Sequence, residues 1–145
     1  MTFYMDSCAL VKAYALEEGS EGVIEILNTE EDIFLSKVAF AEILSSLRRK
    51  NFNGELKDKG FQGRRRHFEE DWRSFYVIEL SDDVLSVLKS RVIKHPLRAL
   101  DAIHLASAIW AGSLLETRPT LVCADASLNE AAKSEGFKVF NPSRP

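Results

Sequence analysis

Phe3-Tyr4-Met5-Asp6-Ser7-Cys8-Ala9-Leu10-Val11 is the stretch whose reading decides the fold. Phe3-Tyr4-Met5 shows no polar alternation, the pattern of a strand covered on both faces inside a parallel sheet. A lone acid follows, and Ser7 to Leu16 then carries a helical pattern.

Working outward, the same exchange of strand for helix recurs. Gly19 and Ser20 break the first helix, and Glu21 to Asn28 suits a second. Ile33-Phe34-Leu35 reads as a strand. Ser36 is the expected cap of a helix running to about Asn51, where Asn51-Phe52-Asn53-Gly54 supplies turn chemistry. Residues 55–73 are highly charged, with Leu56, Phe61, Phe68 and Trp72 as apolar anchors. They predict one or two exposed helices, interrupted near Gly60 and Gly63. Phe75-Tyr76-Val77-Ile78 is the next strand. Ser81 or Asp82 caps a helix through about Lys94, which His95-Pro96 ends. Leu97 to Trp110 is an apolar helix closed by Gly112. Thr120 to Cys123 reads as a strand, Ser127 to Glu135 as a helix and Phe137 to Phe140 as a last strand. Strands alternating with helices through right-handed crossovers imply an α/β fold, a three-layer α/β/α sandwich around a central, mostly parallel sheet. No linker or repeat divides residues 1–145, so a single domain is expected.

Composition narrows the function. The apolar fraction is 46% and the charged fraction 28%, ordinary for a soluble globular chain. No apolar run approaches the roughly 20 residues of a membrane helix. The first residues lack a basic flank and a small-residue cleavage site, so no signal peptide and a cytoplasmic location are expected. A net charge of −3 excludes a polycation that coats nucleic acid. The clusters Arg48-Arg49-Lys50 and Arg64-Arg65-Arg66 fit either solvated faces or phosphate contacts. Cys8 and Cys123 lie in apolar segments and read as buried thiols; a zinc site asks for more His or Cys at ligand spacing.

Four acids stand alone in apolar surroundings: Asp6, Glu42, Asp101 and Asp125. Burying an ionised carboxylate without a partner is strongly unfavourable, so each needs donors, a cation or access to water. Asp6 and Asp125 stand where strands give way to helices, so either fits an ordinary N-cap, although Ser127 and Glu130 offer a capping box for the same helix as Asp125. Glu42 and Asp101 read as mid-helix, where no cap is needed; an ion pair with Arg98, three residues before Asp101, is the simple alternative there. In an open parallel sheet, ligands bind outside the carboxyl ends of the strands at a topological switch point. Asp6 and Asp125 would both project there, and helices can bring Glu42 and Asp101 to the same place. Oxygen ligands without His or Cys favour Mg²⁺, with Mn²⁺ as a substitute. His67, His95 and His104 show no pairing. His104, three residues after Asp101, reads as a satisfied core histidine rather than a ligand.

The motifs carry a resemblance. Tyr4-Met5-Asp6-Ser7-Cys8-Ala9-Leu10-Val11-Lys12-Ala13-Tyr14 resembles the opening motif of PIN domains, especially the VapC toxins of toxin–antitoxin pairs. Phe40-Ala41-Glu42-Ile43 is similar to their second acidic motif, Leu97-Arg98-Ala99-Leu100-Asp101-Ala102-Ile103-His104-Leu105-Ala106 to the third, and Asp125-Ala126-Ser127-Leu128-Asn129-Glu130-Ala131-Ala132 with Gly136-Phe137 to the fourth. The resemblance implies a Mg²⁺-dependent endoribonuclease that leaves a 5′-phosphate and a 3′-hydroxyl, a homodimer, and a small antitoxin that blocks the site. One departure is Cys123, where the family often has Thr or Ser two residues before the last aspartate. The expected chemistry is in-line attack of water on RNA phosphodiesters, with Asp6, Glu42, Asp101 and Asp125 holding the ion, Asp101 or Asp125 taking a proton, and Ser7, Lys12 and Arg98 as candidate substrate contacts. A housekeeping RNA-processing nuclease and a catalytically inactive binding module of the same fold are the alternatives. A phospho-receiver domain needs a second acid beside Asp6, and a DxD phosphatase needs Asp at position 8; Ser7 and Cys8 argue against both.

Overall fold

The computed structural model describes residues 1–145. Five strands, β1 (Thr2–Met5), β2 (Asp32–Ser36), β3 (Tyr76–Ile78), β4 (Thr120–Val122) and β5 (Val139–Phe140), form one sheet in the order β3-β2-β1-β4-β5. Every pairing is parallel, with Tyr4 opposite Phe34 on one side and opposite Leu121 on the other. The chain leaves β1 to build β2 and β3 on one flank, then returns to build β4 and β5 on the other. The switch point therefore lies between β1 and β4, and the Asp6 amide extends that pairing by donating to the Val122 carbonyl at 3.0 Å.

Successive side chains of a strand point to opposite faces, and the core divides accordingly. Tyr4, Leu121 and Cys123 join one apolar cluster with α5 (Asp82–Val87), α6 (Ala99–Leu114) and α7 (Ala126–Ser134). Met5, Leu35 and Val122 join the other with α1 (Ser7–Leu10), α2 (Ser20–Leu27), α3 (Val38–Phe52) and α4 (Asp58–Trp72). Helix, sheet and helix make the three layers that the alternating pattern predicts.

Several boundaries differ from expectation. The first helix is short: α1 gives way to a 3-10 turn at Val11–Ala13 rather than continuing to Leu16. Gly19 then takes φ +90° to start α2, and a Cβ there would stand 3.0 Å from the Pro142 backbone. In the segment expected to break at Gly60 and Gly63, α4 runs through both glycines. Its apolar side holds it on α3: Phe68 is fully buried, with its ring 5.5 Å from Phe40 and 5.2 Å from Tyr14, and Trp72 lies 5.1 Å from Phe40. Burying a ring so completely is worth about 3–5 kcal/mol, more than the roughly 1 kcal/mol each helical glycine costs. Likewise α6 passes through Gly112, because Ala108, Ile109 and Ala111 keep it on the core. The helix capped by Ser81 changes to a π turn at Leu88–Val92.

Two predictions follow from these contacts. A Cβ at Gly63 meets nothing within 4 Å, so Gly63→Ala raises stability by about 0.5–1 kcal/mol in denaturant unfolding; a loss would mean that α4 is not continuous there. The second concerns Glu135, just beyond α7, whose carboxylate meets Arg91 at 3.0 Å, Lys94 at 3.1 Å and His95 at 2.9 Å. Burial pushes this carboxyl up, but His95, Lys94 and Arg91 outweigh it and hold the pKa at about 2. The native value lies below the unfolded one, so the stabilisation is full above the ordinary carboxylate pKa and fades as pH falls toward 2. Glu135→Gln therefore costs about 1–2 kcal/mol near neutrality, and the gap to the parent closes between pH 4.5 and pH 2. A gap independent of pH would overturn this assignment.

Candidate active site

The four isolated acids arrive from four segments at the carboxyl edge of the sheet. Asp6 follows β1 and Asp125 follows β4, on either side of the switch point. Both are N-caps. Asp6 Oδ2 accepts from the Cys8 amide at 3.3 Å, and Asp125 Oδ2 accepts from the Leu128 amide at 2.9 Å. The Ser127 box expected to relieve Asp125 of this duty is not formed: the cap of α7 is Asp125 itself. Capping uses only one oxygen of each carboxylate. The second oxygen of Asp6, Oδ1, is buried without a hydrogen-bond partner.

Glu42 lies one turn into α3, half-buried. Asp101 is not mid-helix as expected but in the first turn of α6, where the helix dipole favours a negative charge. Arg98, the residue that starts this helix, donates through Nε to Asp101 Oδ2 at 3.2 Å and places Nη2 4.0 Å from Asp125 Oδ1. One exposed guanidinium thus spans two of the acids. Burial, then the charge of Asp6, push the Asp101 carboxyl above the ordinary aspartate range, and Arg98 pulls it part of the way back. The influence of Asp6 and Asp125 on Asp101 reports that the three charges share one space.

His104 is what the sequence reading did not place in this centre. It is fully buried, as a core histidine, but it also stands between two of the acids. Nε2 lies 2.7 Å from Glu42 Oε1 and 3.4 Å from Asp6 Oδ1, while Nδ1 meets the Tyr4 hydroxyl at 3.0 Å. An ionised Glu42 can only accept, so Nε2 carries a proton. Burial alone would lower the histidine pKa; Asp6, Glu42 and Asp101 outweigh it and raise it. The converse holds for Glu42, which burial pushes up and His104 brings below its ordinary value. Burial and the nearby Asp6 charge keep the Tyr4 hydroxyl protonated. The signal was in the sequence: the i, i+3 spacing of Asp101 and His104 puts both on one side of α6.

The site opens into a cleft of about 700 Å³ lined by Ser7, Cys8, Lys12, Glu42, Arg49 and Asp125 among others. Lys12 is buried, with Nζ on the Glu18 carbonyl at 2.8 Å and Glu17 at 3.3 Å. The Ser7 hydroxyl lies 3.5 Å from His104 Nε2. Of the two basic clusters, only Arg49 reaches the cleft wall; Lys50 pairs with Glu17 and Glu55, and Arg64 donates to the Tyr14 carbonyl at 2.7 Å. The two cysteines are not inert filler. Cys123 is buried, Cys8 is half-buried, and both reach Asp6 Oδ2.

A family model described as PIN domain matches residues 3–134. The chain belongs to the PIN domain family. Among curated relatives, Ribonuclease VapC46 of Mycobacterium tuberculosis (strain ATCC 25618 / H37Rv) is 34% identical over 140 residues, covering 97% of each chain. Ribonuclease VapC45 of Mycobacterium tuberculosis (strain CDC 1551 / Oshkosh) is 29% identical over 138 residues, covering 94% of this chain and 92% of the relative. Among solved structures, FitAcB from Neisseria gonorrhoeae superposes with a TM-score of 0.70 at 20% identity, over 99% of this chain and 100% of that one. VapBC2 from Rickettsia felis, bound to a DNA fragment from their promoter, gives 0.67 at 14% identity, over 97% and 98%. These structural likenesses establish the PIN fold. No helix of this PIN domain is long and apolar enough to cross a membrane.

Removing the Arg98 guanidinium leaves burial and Asp6 unopposed at Asp101. In Arg98→Ala the Asp101 carboxyl titrates at higher pH than in the parent, read by carboxyl-carbon NMR. An unchanged midpoint would show that the Arg98–Asp101 pair does not form in solution.

Proposed function

We propose that this PIN domain is a divalent-metal-dependent endoribonuclease, the toxin of a toxin–antitoxin pair, with Mg²⁺ as its ion and Asp6, Glu42, Asp101 and Asp125 as the acidic set that holds it. The observation that carries this reading is Asp6: one oxygen caps α1, and the other is buried beside the acidic cluster without a hydrogen bond, its nearest donor being His104 Nε2 at 3.4 Å. An orphaned carboxylate oxygen beside other acids is costly unless a cation completes it. An all-oxygen set from these four residues fits a hard ion that keeps several waters. When bound, such an ion lowers the pKa of a water and offsets charge on the scissile phosphate.

The chain's own groups divide the remaining work. Asp6 and Asp125 are held rigid by their caps, which fixes the direction of their free oxygens. Asp101, whose carboxyl burial and the Asp6 charge raise above the ordinary aspartate range, is the group proposed to take the proton of the attacking water. His104 donates to Glu42 through Nε2 at 2.7 Å and lies 3.4 Å from Asp6, which keeps both oriented. Arg98 is exposed at the rim, where a phosphate can draw it from Asp101 and Asp125. Ser7 and Lys12 line the floor of the cleft as further phosphate contacts.

The toxin part of the reading draws on the relatives named Ribonuclease VapC and on the neighbour that is a toxin–antitoxin complex from Klebsiella pneumoniae, with a TM-score of 0.67 at 14% identity. A homodimer and a small antitoxin fit the exposed apolar side chains of Tyr76, Leu80, Leu85, Ile93 and Leu100. Cleavage of RNA with Mg²⁺, with Mn²⁺ and with EDTA tests the core of it. The parent cuts with either ion and stops with EDTA, and Asp6→Asn loses at least about 100-fold in rate, equivalent to about 2.7 kcal/mol of barrier. A variant as fast as the parent would remove Asp6 from the site.

A further inference from the structure

The two thiols beside Asp6 have no part in the hydrolytic reading. Cys8 and Cys123 come from distant parts of the chain, yet their Sγ atoms stand 3.8 Å apart and both contact Asp6 Oδ2. One donor atom from each of Asp6, Cys8 and Cys123 lies within 4.8 Å of the other two. Tetrahedral Zn²⁺, with Zn–S bonds of about 2.3 Å and a Zn–O bond of about 2.0 Å, sets an S···S edge of about 3.8 Å and an S···O edge of about 3.5 Å. The 3.8 Å between the sulfurs and the 3.4 Å from Cys123 Sγ to Asp6 Oδ2 fit two of the three edges. The third is the hydrogen bond from Cys8 to Asp6, which is closer than such an edge. It must lengthen as an ion enters, and Cys8 lines the open cleft, so its side chain can turn outward. Cys123 Sγ also accepts the Asp125 amide at 3.2 Å, the outer support that a metal-bound thiolate takes.

We propose that Asp6, Cys8 and Cys123 form a site for a thiophilic divalent cation, Zn²⁺ foremost, with a fourth position open to the cleft. Binding exchanges two S–H bonds for two Zn–S bonds and releases two protons to solvent; no electrons move. Thiolate ligands select Zn²⁺ over Mg²⁺, so a cup that a hydroxyl-bearing side chain at position 123 would leave hard becomes soft in this chain. Because the cation takes Asp6, Zn²⁺ inhibits Mg²⁺-supported RNA cleavage. That consequence rests on the nuclease reading; the binding itself does not.

The test uses the protein kept reduced by a phosphine and titrated with Co²⁺, whose thiolate complexes absorb in the near-ultraviolet through sulfur-to-metal charge transfer. One equivalent of Co²⁺ develops the band and one equivalent of Zn²⁺ abolishes it. Cys8→Ser weakens Zn²⁺ binding at least about 10-fold, and Cys8→Ser with Cys123→Ser eliminates the band while circular dichroism stays that of a folded protein. Cys8 is half-buried, so the single variant still decides the matter if the double variant does not fold. No charge-transfer band in the parent at saturating Co²⁺, or a Cys8→Ser variant that binds Zn²⁺ as tightly as the parent, overturns the proposal. A band without any Mg²⁺-supported RNA cleavage sinks the nuclease reading and leaves the thiolate site standing; cleavage without a band does the reverse.

Discussion

Crowded negative charge at the end of β1 is the constraint around which this molecule is arranged. Asp6 is almost wholly withdrawn from water, and in that position an ionised carboxylate needs compensation from every direction. The backbone supplies part through the amide of Cys8, and the protein supplies part through His104, a buried imidazole shared with Glu42. Arg98 answers Asp101 and Asp125 from outside. What remains without a hydrogen bond is one oxygen, Asp6 Oδ1, whose nearest donor is His104 Nε2 at 3.4 Å. The sheet makes this arrangement possible, because only at the switch point between β1 and β4 do two strand ends place two aspartates side by side without a helix crossing between them.

The strands and their layers were legible because burial on both faces leaves a plain trace: short apolar runs such as Phe3-Tyr4-Met5 and Thr120-Leu121-Val122, separated by helical patterns. The helix ends were not. Gly60, Gly63 and Gly112 read as stops, since a glycine in isolation favours one. What overrides them is contact energy from residues far away in sequence, the Phe40 ring against Phe68 and Trp72 above all. Propensity is local and packing is not, so the error falls where the two disagree.

The four acids could be picked out as misplaced charges, and the pairing of Arg98 with Asp101 followed from their i, i+3 spacing, but the other partners could not be read. Capping and convergence looked like competing explanations of Asp6 and Asp125. They coexist, because a carboxylate has two oxygens and the cap engages one. His104 was set aside as core, and it is core. A buried imidazole in reach of two carboxylates is at once a packing residue and a counter-ion, and no one-dimensional pattern separates those roles. The pairing of Cys8 with Cys123 was equally invisible: a shared sheet edge was expected to gather Asp6 and Asp125, but nothing in spacing or composition shows that the two sulfurs beside them face each other.

That neighbourhood changes the chemistry available at a shared edge. Asp6 presents one oxygen toward His104 and the carboxylates, and the other toward two sulfurs. The first side offers hard, anionic oxygen; the second offers polarisable sulfur. The hydrogen bond with Cys8 and burial raise the Cys123 thiol far above an ordinary cysteine, so at neutral pH Cys123 adds no negative charge to a centre already crowded with it. A serine or threonine at position 123 would also be neutral, yet would remain a weak oxygen donor to any ion. The cysteine keeps the electrostatics of such a hydroxyl and alters which cations can profit from the geometry, so ion selectivity at this edge turns on a side chain that carries no charge.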